Sequence, residues 1–537
     1  MNMHVGGLAN PAVLERDAVI YNHEAKSLLR FIACGSVDHG KSSLLGRLLF
    51  EAKLVLDDQI ETLRKDTGQL TGAVEDLDFS LLFDGLAAER EQKITIDLAY
   101  RFFATEKRKF IVADAPGHEQ YTRNMATGAS TADLALILVN AQSGLTQQTR
   151  RHALIAATLG VRHLVVAVNK MDLVEFSQET FAAIERDFRS FADRLGDVSL
   201  TFIPVSARKG DNVVNASANM TWYRGPTLLD KLETVDVTPR AANQAFRMAV
   251  QWVSRPTADF RGYCGMIAGG EVRPGMDIIV QPSGQRARID QIITANGALE
   301  RAGVGQSVTL TLTEDVDVSR GDLLADSSAP AQVSDKLNAR IFWMGQGTLA
   351  PGGRYHIKLG TASAAAHISG PMQLIDLAED AAIKPVDRLM SNEFGLCTLE
   401  LDRPLAADRY DANRETGSFI LIDAETHDTV AMGLIENAVT STANAAATPE
   451  TPIRTSIIGH VAVRVARAFG ASESHGRSIA KALSWRATGS IDTFAISWFI
   501  TGNTTIAGSI AITEIITKIA LYYFHERIWA LVPWGRK

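Results

Sequence analysis

Cysteine is scarce in this sequence of 537 residues, and its three cysteines, Cys34, Cys264 and Cys397, lie far apart. That spacing excludes a disulfide framework and a cysteine-based zinc site, and we expect a protein of a reducing, intracellular environment. A long apolar run is also missing from the N-terminal stretch, which instead carries acids such as Glu15 and Asp17. We therefore expect no secretory signal there.

Charge is sparse as well, because only 21% of the residues are charged whereas 46% are hydrophobic. Together with a mean hydropathy of +0.02, this balance excludes both a disordered chain and one that is wholly embedded in a membrane. The length exceeds what one hydrophobic core can organise, so we expect about three or four domains.

The charge is divided unevenly along the chain. Of the 54 Lys and Arg and the 61 Asp and Glu, residues 451–537 hold ten and four, which gives this tail a formal charge of +6 and leaves −13 for residues 1–450. Four of the seven tryptophans, Trp485, Trp498, Trp529 and Trp534, also lie in the tail. We interpret the tail as a separate module with a partner of its own.

Short apolar runs alternate with helical patterns in the first part of the chain. Phe31–Cys34 is predicted to be a strand, and it is followed by a glycine-bounded loop and by an apolar helix over Leu44–Phe50. Further strands are predicted at 110–113, 134–139, 164–168 and 202–205, with a helix over 147–160. Alternation of this kind predicts a parallel sheet covered by helices.

The pattern changes near residue 240. Short alternating runs punctuated by glycine follow, with a predicted strand at Met248–Val253 among the first, and such runs are typical of small antiparallel barrels. A stretch of small, polar residues ending in prolines then indicates a linker. The predicted organisation is an extension (1–24), an α/β domain (25–240), two antiparallel β-barrels (241–332 and 333–438), the linker (439–453) and the basic tail (454–537).

A phosphate-binding loop, Gly35-Ser36-Val37-Asp38-His39-Gly40-Lys41-Ser42, lies between the first predicted strand and the first predicted helix. It fits the pattern G-x-x-x-x-G-K-[ST], in which backbone N–H groups surround phosphate oxygens and the helix N-terminus adds about half a positive charge. Lys41 is predicted to neutralise the β- and γ-phosphates and Ser42 to ligate Mg²⁺. The candidate binding residues of this segment are Gly35, Asp38, His39, Gly40, Lys41, Ser42 and Ser43.

Three further motifs follow predicted strands. Asp114-Ala115-Pro116-Gly117 offers a carboxylate that can hold Mg²⁺ through water and an N–H, at Gly117, that can sense the γ-phosphate. Asn169-Lys170-Met171-Asp172 ends in a carboxylate that can accept hydrogen bonds from guanine N1 and N2, and Ser206-Ala207-Arg208 can support the base. Because ligands of parallel α/β sheets bind at the carboxyl ends of the strands, the ordered set predicts a P-loop GTPase domain.

Two residues near these motifs are candidates for hydrolysis. Thr95 lies in Ile94-Thr95-Ile96 and is predicted to close over Mg²⁺ in the GTP state. His118 directly follows Gly117 and is predicted to orient the attacking water. The candidate catalytic residues are therefore Lys41, Thr95 and His118, and the candidate Mg²⁺ ligands are Ser42, Thr95 and, through water, Asp114.

The segments 37–41 and Asp114-Ala115-Pro116-Gly117-His118-Glu119 resemble the elongation-factor-like translational GTPase superfamily. Within it, the segments 42–49, 82–92, 120–130 and 259–263 are similar to the large, GTPase subunit of bacterial sulfate adenylyltransferase. The resemblance extends over roughly residues 25–437. It implies a GTPase domain followed by two β-barrels, with GTP and Mg²⁺ as cofactors.

The same resemblance implies a separate small catalytic subunit, which joins ATP and sulfate into adenosine 5′-phosphosulfate and diphosphate. That reaction is steeply unfavourable, and GTP hydrolysis by the large subunit is expected to drive it. Carried over by position, the phosphate and Mg²⁺ chemistry falls to Lys41, Ser42, Thr95, Asp114 and His118, and guanine binding to Asn169, Lys170, Asp172, Ser206, Ala207 and Arg208.

Two other functions stay open at this point. A translation-type GTPase would bind tRNA or the ribosome, but the formal charge of −13 on residues 1–450 disfavours a nucleic-acid partner, because phosphate backbones are bound by clustered Lys and Arg. A membrane-tethered regulatory GTPase without a part in sulfate chemistry is the other alternative.

The tail contains two apolar stretches, at 487–501 and 505–524, whose flanks are basic and rich in tryptophan. A stretch of about 20 apolar residues can span a bilayer, and basic, aromatic ends are typical of cytoplasmic membrane interfaces. Asp492, Glu514 and Lys518 disfavour insertion, so a soluble or partner-docking hairpin remains an alternative. Residues 484–527 resemble a small family of bacterial membrane proteins. We therefore expect a transmembrane helical hairpin that holds a cytoplasmic GTPase body at the inner face of the cytoplasmic membrane.

Overall fold

A computed structural model describes residues 26–66, 77–82, 97–238, 240–257, 260–376 and 382–439. All of them lie in the first of two compact units, Met1–Asn444. The predictions for Thr95, for the linker beyond residue 439 and for the apolar hairpin of the tail fall outside the described residues. Among the residues that are described, no helix is long and apolar enough to cross a membrane.

The first domain is built on a six-stranded sheet in the order β2-β3-β1-β4-β5-β6. Its strands are β1 Leu28–Gly35, β2 Ala99–Ala104, β3 Lys109–Asp114, β4 Leu134–Asn140, β5 His163–Asn169 and β6 Ser199–Pro204. All neighbouring strands are parallel except the edge strand β2, which runs antiparallel to β3. The parallel α/β sheet predicted from the alternating pattern is thereby confirmed.

Six α-helices accompany this sheet in the described part of the domain: α1 Lys41–Glu51, α2 Asp57–Asp66, α3 Thr122–Thr131, α4 Gln147–Thr158, α5 Gln178–Ala192 and α6 Leu228–Thr234. Several begin at a capping side chain that satisfies a free N–H group of the first turn. The Thr146 side chain accepts from Thr149 N at the start of α4, and Thr227 forms a capping box with Asp230 at the start of α6.

Helices cover both faces of the sheet. Leu44, Leu45 and Leu48 of α1 belong to a buried cluster on one face, and residues of α3, α4 and α5 belong to a second cluster on the other. The central strand β4 is therefore buried on both sides, and residues 134–139 each have 0% exposure. Two-sided burial explains why this strand is a continuous apolar run rather than an alternating one.

Two antiparallel β-barrels follow, as predicted. The strands of the first are β7 Arg247–Ala249, β8 Trp252–Ser254, β9 Gly262–Gly269, β11 Asp277–Gln281, β12 Gln285–Thr294, β13 Gly297–Leu299, β15 Ser307–Leu312 and β16 Leu323–Asp326, and the same domain carries a separate two-stranded sheet of β10 Glu271–Val272 and β14 Ala302–Gly303. The second comprises β17 Gln332–Trp343, β18 Arg354–Leu359, β19 Ala362–Asp376, β20 Ala382–Val386, β21 Phe394–Ala407, β22 Ser418–Asp423 and β23 Thr429–Ala438. Pairing of β11 with β12 closes the first barrel, and pairing of β18 with β19 closes the second.

The segment Met248–Val253, predicted to be one strand, is two short strands. β7 pairs with β16 and β9, whereas β8 pairs with β9 alone. Between them, Val250 N donates to Asp322 O and Gln251 N donates to Cys264 O. The chain changes hydrogen-bonding partners here, and side-chain alternation carries no signal of such a change.

The second barrel packs against the GTPase domain. Phe342, Phe394 and Leu434 belong to the same buried cluster as the residues of α3, α4 and α5. The Arg414 guanidinium donates to Ser130 O at 3.0 Å and to Leu159 O at 2.8 Å. One arginine of the second barrel therefore contacts the C-terminal ends of both α3 and α4.

Candidate nucleotide-binding site

The four sequence motifs meet at one edge of the sheet. β1 ends at Gly35, β3 at Asp114, β5 at Asn169 and β6 at Pro204. These strands are parallel to one another through the pairings of β1, β3, β4, β5 and β6. Their carboxyl ends therefore lie on the same side, which is the edge where doubly wound sheets bind ligands.

The phosphate loop turns sharply into α1. Gly40 has φ 80° and ψ 40°, a left-handed conformation that favours glycine, and Asp38, which is exposed, is also left-handed with φ 66°. Ser42 and Ser43 follow in the first turn of α1, the part of a helix whose backbone N–H groups have no carbonyl partner within the helix. This turn supplies the N–H groups and the positive helix end that a phosphate group requires.

Lys41 lies under the loop with its side chain turned back. Its Nζ donates to Gly35 O at 3.1 Å and to Ser36 O at 3.2 Å, and the residue is 7% exposed. Burial lowers the pKa of the Lys41 amine, and the nearby Asp114 carboxylate acts in the opposite direction. Additional negative charge at this point would favour the ammonium form.

Gly117 passes directly over this lysine. A Cβ at position 117 would lie 2.7 Å from Lys41 Nζ and 2.9 Å from Gly35 O. Any side chain would therefore collide with the phosphate loop, which gives a steric reason for glycine at this position. The backbone of Gly117 therefore lies beside Lys41, the residue predicted to neutralise the β- and γ-phosphates.

Two of the three predicted Mg²⁺ ligands are in contact. Ser42 Oγ donates to Asp114 Oδ2 at 2.8 Å, and Asp114 is 1% exposed. Mg²⁺ prefers oxygen ligands and usually keeps several waters, so the pair fits a site in which Ser42 binds the ion directly and Asp114 binds it through water. Among the described residues no group of three His, Cys, Asp or Glu comes together as a metal site.

Asn169 and His39 connect the loops rather than face an open cleft. The Asn169 side chain donates to His39 O at 2.9 Å and accepts from Ala207 N at 3.0 Å. His39 is 3% exposed, and its Nδ1 is 2.8 Å from Leu138 O. Burial lowers the pKa of His39. Asn169 thus joins the phosphate loop to the loop after β6, and His39 anchors the phosphate loop to β4.

The predicted base-binding residues lie together. Ser206 Oγ donates to Asp172 Oδ1 at 2.7 Å and accepts from Lys209 N at 3.2 Å. Lys170 is half-buried and left-handed, with φ 64°, at the start of the turn that carries Asp172. The Asp172 carboxylate is therefore held from one side, as recognition of two neighbouring N–H groups requires.

Arg208 contributes through its backbone, because its carbonyl accepts from Arg47 Nη1 at 2.8 Å. Arg47 was not among the residues predicted for the site. It is 6% exposed and lies in the apolar segment Leu44-Leu45-Gly46-Arg47-Leu48-Leu49 of α1. A charged residue in an apolar helical run is the signal that could have identified it, because buried arginines are almost always paired.

Family models match three segments of the chain. Residues 26–240 match the Elongation factor Tu GTP binding domain, residues 336–436 match a GTP-eEF1A C-terminal domain-like model, and residues 479–530 match a model described as a predicted membrane protein. The chain is also 51% identical over 432 residues to a sulfate adenylyltransferase subunit 1 of Methylorubrum extorquens, which is 80% of this chain and 92% of the relative. The chain belongs to the sulfate adenylyltransferase subunit 1 family.

Other relatives agree with this membership. The sulfate adenylyltransferase subunit 1 of Saccharophagus degradans is 47% identical over 422 residues, covering 78% of this chain and 89% of that protein. The bifunctional enzyme NodQ of Rhizobium meliloti is 48% identical over 421 residues, covering 78% of this chain and 65% of that protein. The prediction of a GTPase subunit of sulfate adenylyltransferase is confirmed, and the translation-type alternative is not favoured.

In this member of the sulfate adenylyltransferase subunit 1 family, His118 is exposed and lies apart from the buried loops. Its Nδ1 accepts from Gln120 N at 3.3 Å, and its ring makes an edge contact with Tyr121 at 6.1 Å between centroids. When Nδ1 accepts a hydrogen bond, a neutral imidazole carries its proton on Nε2. In this arrangement His118 can donate a hydrogen bond from Nε2, which suits the orientation of a water molecule.

Proposed function

We propose that this protein hydrolyses GTP, with Mg²⁺, to drive the formation of adenosine 5′-phosphosulfate and diphosphate from ATP and sulfate on a separate catalytic subunit. The observation that carries the proposal is the pair of hydrogen bonds made by the Asn169 side chain, which joins the phosphate loop at His39 to the loop after β6 at Ala207. This second loop contains Ser206, Ala207 and Arg208, which are predicted to support the base, and we call it the base loop. Phosphate-binding and base-binding parts are thereby built as one site. The name of the relatives, subunit 1, implies a second subunit.

The roles proposed at the phosphate end follow from position and charge. Lys41 would neutralise the phosphates, and its carbonyl contacts keep the ammonium group under the loop. Ser42 would hold Mg²⁺ directly and Asp114 would hold it through water, and the charge of the ion would offset the charge that develops during phosphoryl transfer. Backbone N–H groups of the loop and of Gly117 would surround the γ-phosphate, and His118 would orient water. Thr95 would complete the metal site from the segment before β2.

At the other end, Asp172 would read guanine. An aspartate accepts from both N1–H and the N2 amine of guanine, and the Ser206 hydroxyl holds one of its oxygens at 2.7 Å. Asp172→Asn replaces one acceptor oxygen by a donor NH₂ group. That change suits xanthine, which carries a carbonyl in place of the N2 amine.

One experiment tests both the coupling of GTP to adenylylsulfate formation and the recognition of guanine by Asp172. The protein, a small subunit from the same genome, ATP, sulfate and inorganic pyrophosphatase are mixed, and adenylylsulfate is measured with GTP, with xanthosine triphosphate or with neither. Wild-type protein should be stimulated by GTP, and the Asp172→Asn variant by xanthosine triphosphate. Absence of GTP stimulation in the wild type would refute the coupled function. An unchanged nucleotide preference in the variant would refute the base assignment.

We propose further that the tail attaches this enzyme to a membrane as a helical hairpin with both ends in the cytoplasm. Support comes from the match of residues 479–530 to a predicted membrane protein and from the basic, tryptophan-rich composition of residues 451–537. Carbonate washing of membranes from the producing cell tests the proposal, with a chain ending at Val439 as control. The full chain should remain in the membrane fraction, and its complete release would contradict the hairpin.

A further inference from the structure

Arg47 lies where three parts of the GTPase domain meet. Its Nη1 donates to Arg208 O at 2.8 Å and its Nη2 donates to Lys209 O at 3.1 Å. Its Nε donates to Glu51 Oε1 at 2.7 Å, one turn along α1. Its guanidinium also lies over the Phe79 ring, with 5.2 Å from Cζ to the ring centroid. All three nitrogens and one face of the guanidinium are thus engaged.

The contacts of Arg47 continue towards the base. Lys209, whose carbonyl accepts from Arg47, donates its own N–H to Ser206 Oγ at 3.2 Å. Ser206 Oγ in turn donates to Asp172 Oδ1 at 2.7 Å. A continuous hydrogen-bonded chain therefore runs from α1, which begins at the phosphate loop, to the carboxylate proposed to read guanine.

Gly210 shows how closely this loop sits on α1. A Cβ at position 210 would collide with the Glu51 carboxylate and would lie 2.6 Å from Arg47 Nη2, and the residue has φ +85°. Glycine is therefore required both by the left-handed backbone and by the space. The loop after β6 is therefore in close van der Waals contact with the Arg47–Glu51 pair.

We infer that Arg47 is a positioning residue for guanine specificity: it holds the 206–210 loop so that Ser206 orients Asp172 towards the base. This inference rests on the proposed guanine site. Arginine suits the role because its planar fork reaches two carbonyls and a carboxylate at once, whereas a lysine at the same place offers a single ammonium group. A residue with the same positive charge but a single ammonium group would therefore not make the contacts of Arg47.

The test compares GDP with inosine diphosphate, which lacks the N2 amine of guanine. Binding of both nucleotides to the full chain is measured by calorimetry, and the ratio of the two dissociation constants reports the contact with N2. Arg47→Lys should lower the preference for GDP about tenfold, which corresponds to 1.4 kcal/mol at 25 °C. Its affinity for GDP should fall as well.

Arg108→Lys is the matched control. Arg108 is 5% exposed, and its Nη1 donates to two carbonyls, Leu232 O at 3.1 Å and Val235 O at 2.6 Å. Its replacement also removes a buried guanidinium from the same domain, but away from the base loop. The preference for GDP should stay within twofold of the wild type. A loss of preference as large as in Arg47→Lys would reveal a general effect of destabilisation and overturn the inference.

Gly210→Ala keeps the inference testable if Arg47→Lys folds poorly, because it leaves Arg47 in place, and a double-mutant cycle is a further test if Arg47→Lys folds well. Gly210→Ala should displace the same loop and lower the same ratio. In a double-mutant cycle, Arg47→Lys should add little to the loss caused by Ser206→Ala, because both act on Asp172 through one path. Full additivity in this cycle, or an unchanged ratio in Arg47→Lys and Gly210→Ala, would refute the role. Equal wild-type affinities for the two nucleotides would instead refute the guanine site itself, and this inference with it.

Discussion

The stability of the GTPase domain should fall in mild acid because of one buried histidine. His152 lies in α4 with 1% exposure. Its Nε2 is 3.0 Å from Gln148 Nε2, and its Nδ1 has no hydrogen-bond partner among the described residues. Burial lowers the pKa of His152 from 6.5 to about 3, and the positive charges of Lys41 and Arg151 add to the effect.

The direction and size of the effect follow from proton linkage. Between pH 6.5 and about 3, the unfolded chain binds a proton at His152 and the folded protein does not. The free energy of unfolding therefore decreases as the pH falls through this window, and the full value is present above pH 6.5. One pKa unit corresponds to about 1.4 kcal/mol. At pH 5, about 1.5 units below the ordinary value, the loss amounts to about 2 kcal/mol.

His152→Gln isolates this contribution, because the amide stays neutral at every pH. The opening free energy of α4 can be measured by hydrogen exchange at pH 7.5 and pH 5, after correction for intrinsic exchange rates. The wild type should lose about 2 kcal/mol more than the variant between these conditions. His356→Gln, which changes an exposed histidine on β18, should behave as the wild type. Equal losses in the wild type and in His152→Gln would refute the reasoning.

Three other changes have defined outcomes. Arg247→Met leaves the Asp408 carboxylate, 16% exposed in its side chain, without its ion pair and should lower the free energy of unfolding by about 3–5 kcal/mol. The double variant Arg247→Met/Asp408→Leu should lose less, and urea unfolding of both variants measures the difference. Arg414→Ala should release the ends of α3 and α4 by about 2 kcal/mol, measured as faster hydrogen exchange there, and unchanged protection would contradict the contact. Asn169→Ala should weaken GDP binding about tenfold or more, because it leaves two buried backbone groups unpaired, and calorimetry measures the loss.

Much of the first domain could be predicted because its signals are local. The phosphate loop is a contiguous pattern whose turn requires Gly40, and the strand at Leu134–Asn140 is apolar throughout because both of its faces are covered. The position of each motif after a strand was sufficient to predict that they meet at one edge. These features depend on neighbouring residues and on the rules of parallel sheets.

What could not be predicted depends on residues that are distant in the sequence. Arg47 and Lys209 are 162 residues apart, and Arg414 and Leu159 are 255 residues apart. Neither contact could be predicted from a local sequence pattern, because the partners are too distant in the chain. Asn169 is predicted to take part in guanine binding, and the structure adds two partners that the sequence did not indicate, the backbones of His39 and Ala207. The motif identified Asn169 as a residue of the site, whereas its hydrogen-bond partners became visible only in the tertiary structure.

Arg414 of the second barrel binds the C-terminal end of α3. The helix begins at Thr122, soon after His118, and ends at Thr131, where the arginine binds the last turn. A helix of ten residues is about 15 Å long. A tilt of about 10° around the bound end would therefore swing the other end by about 3 Å. A shift of the second barrel relative to the GTPase domain would therefore act on α3 through Arg414 and, through the first turn of the helix, on the position of His118.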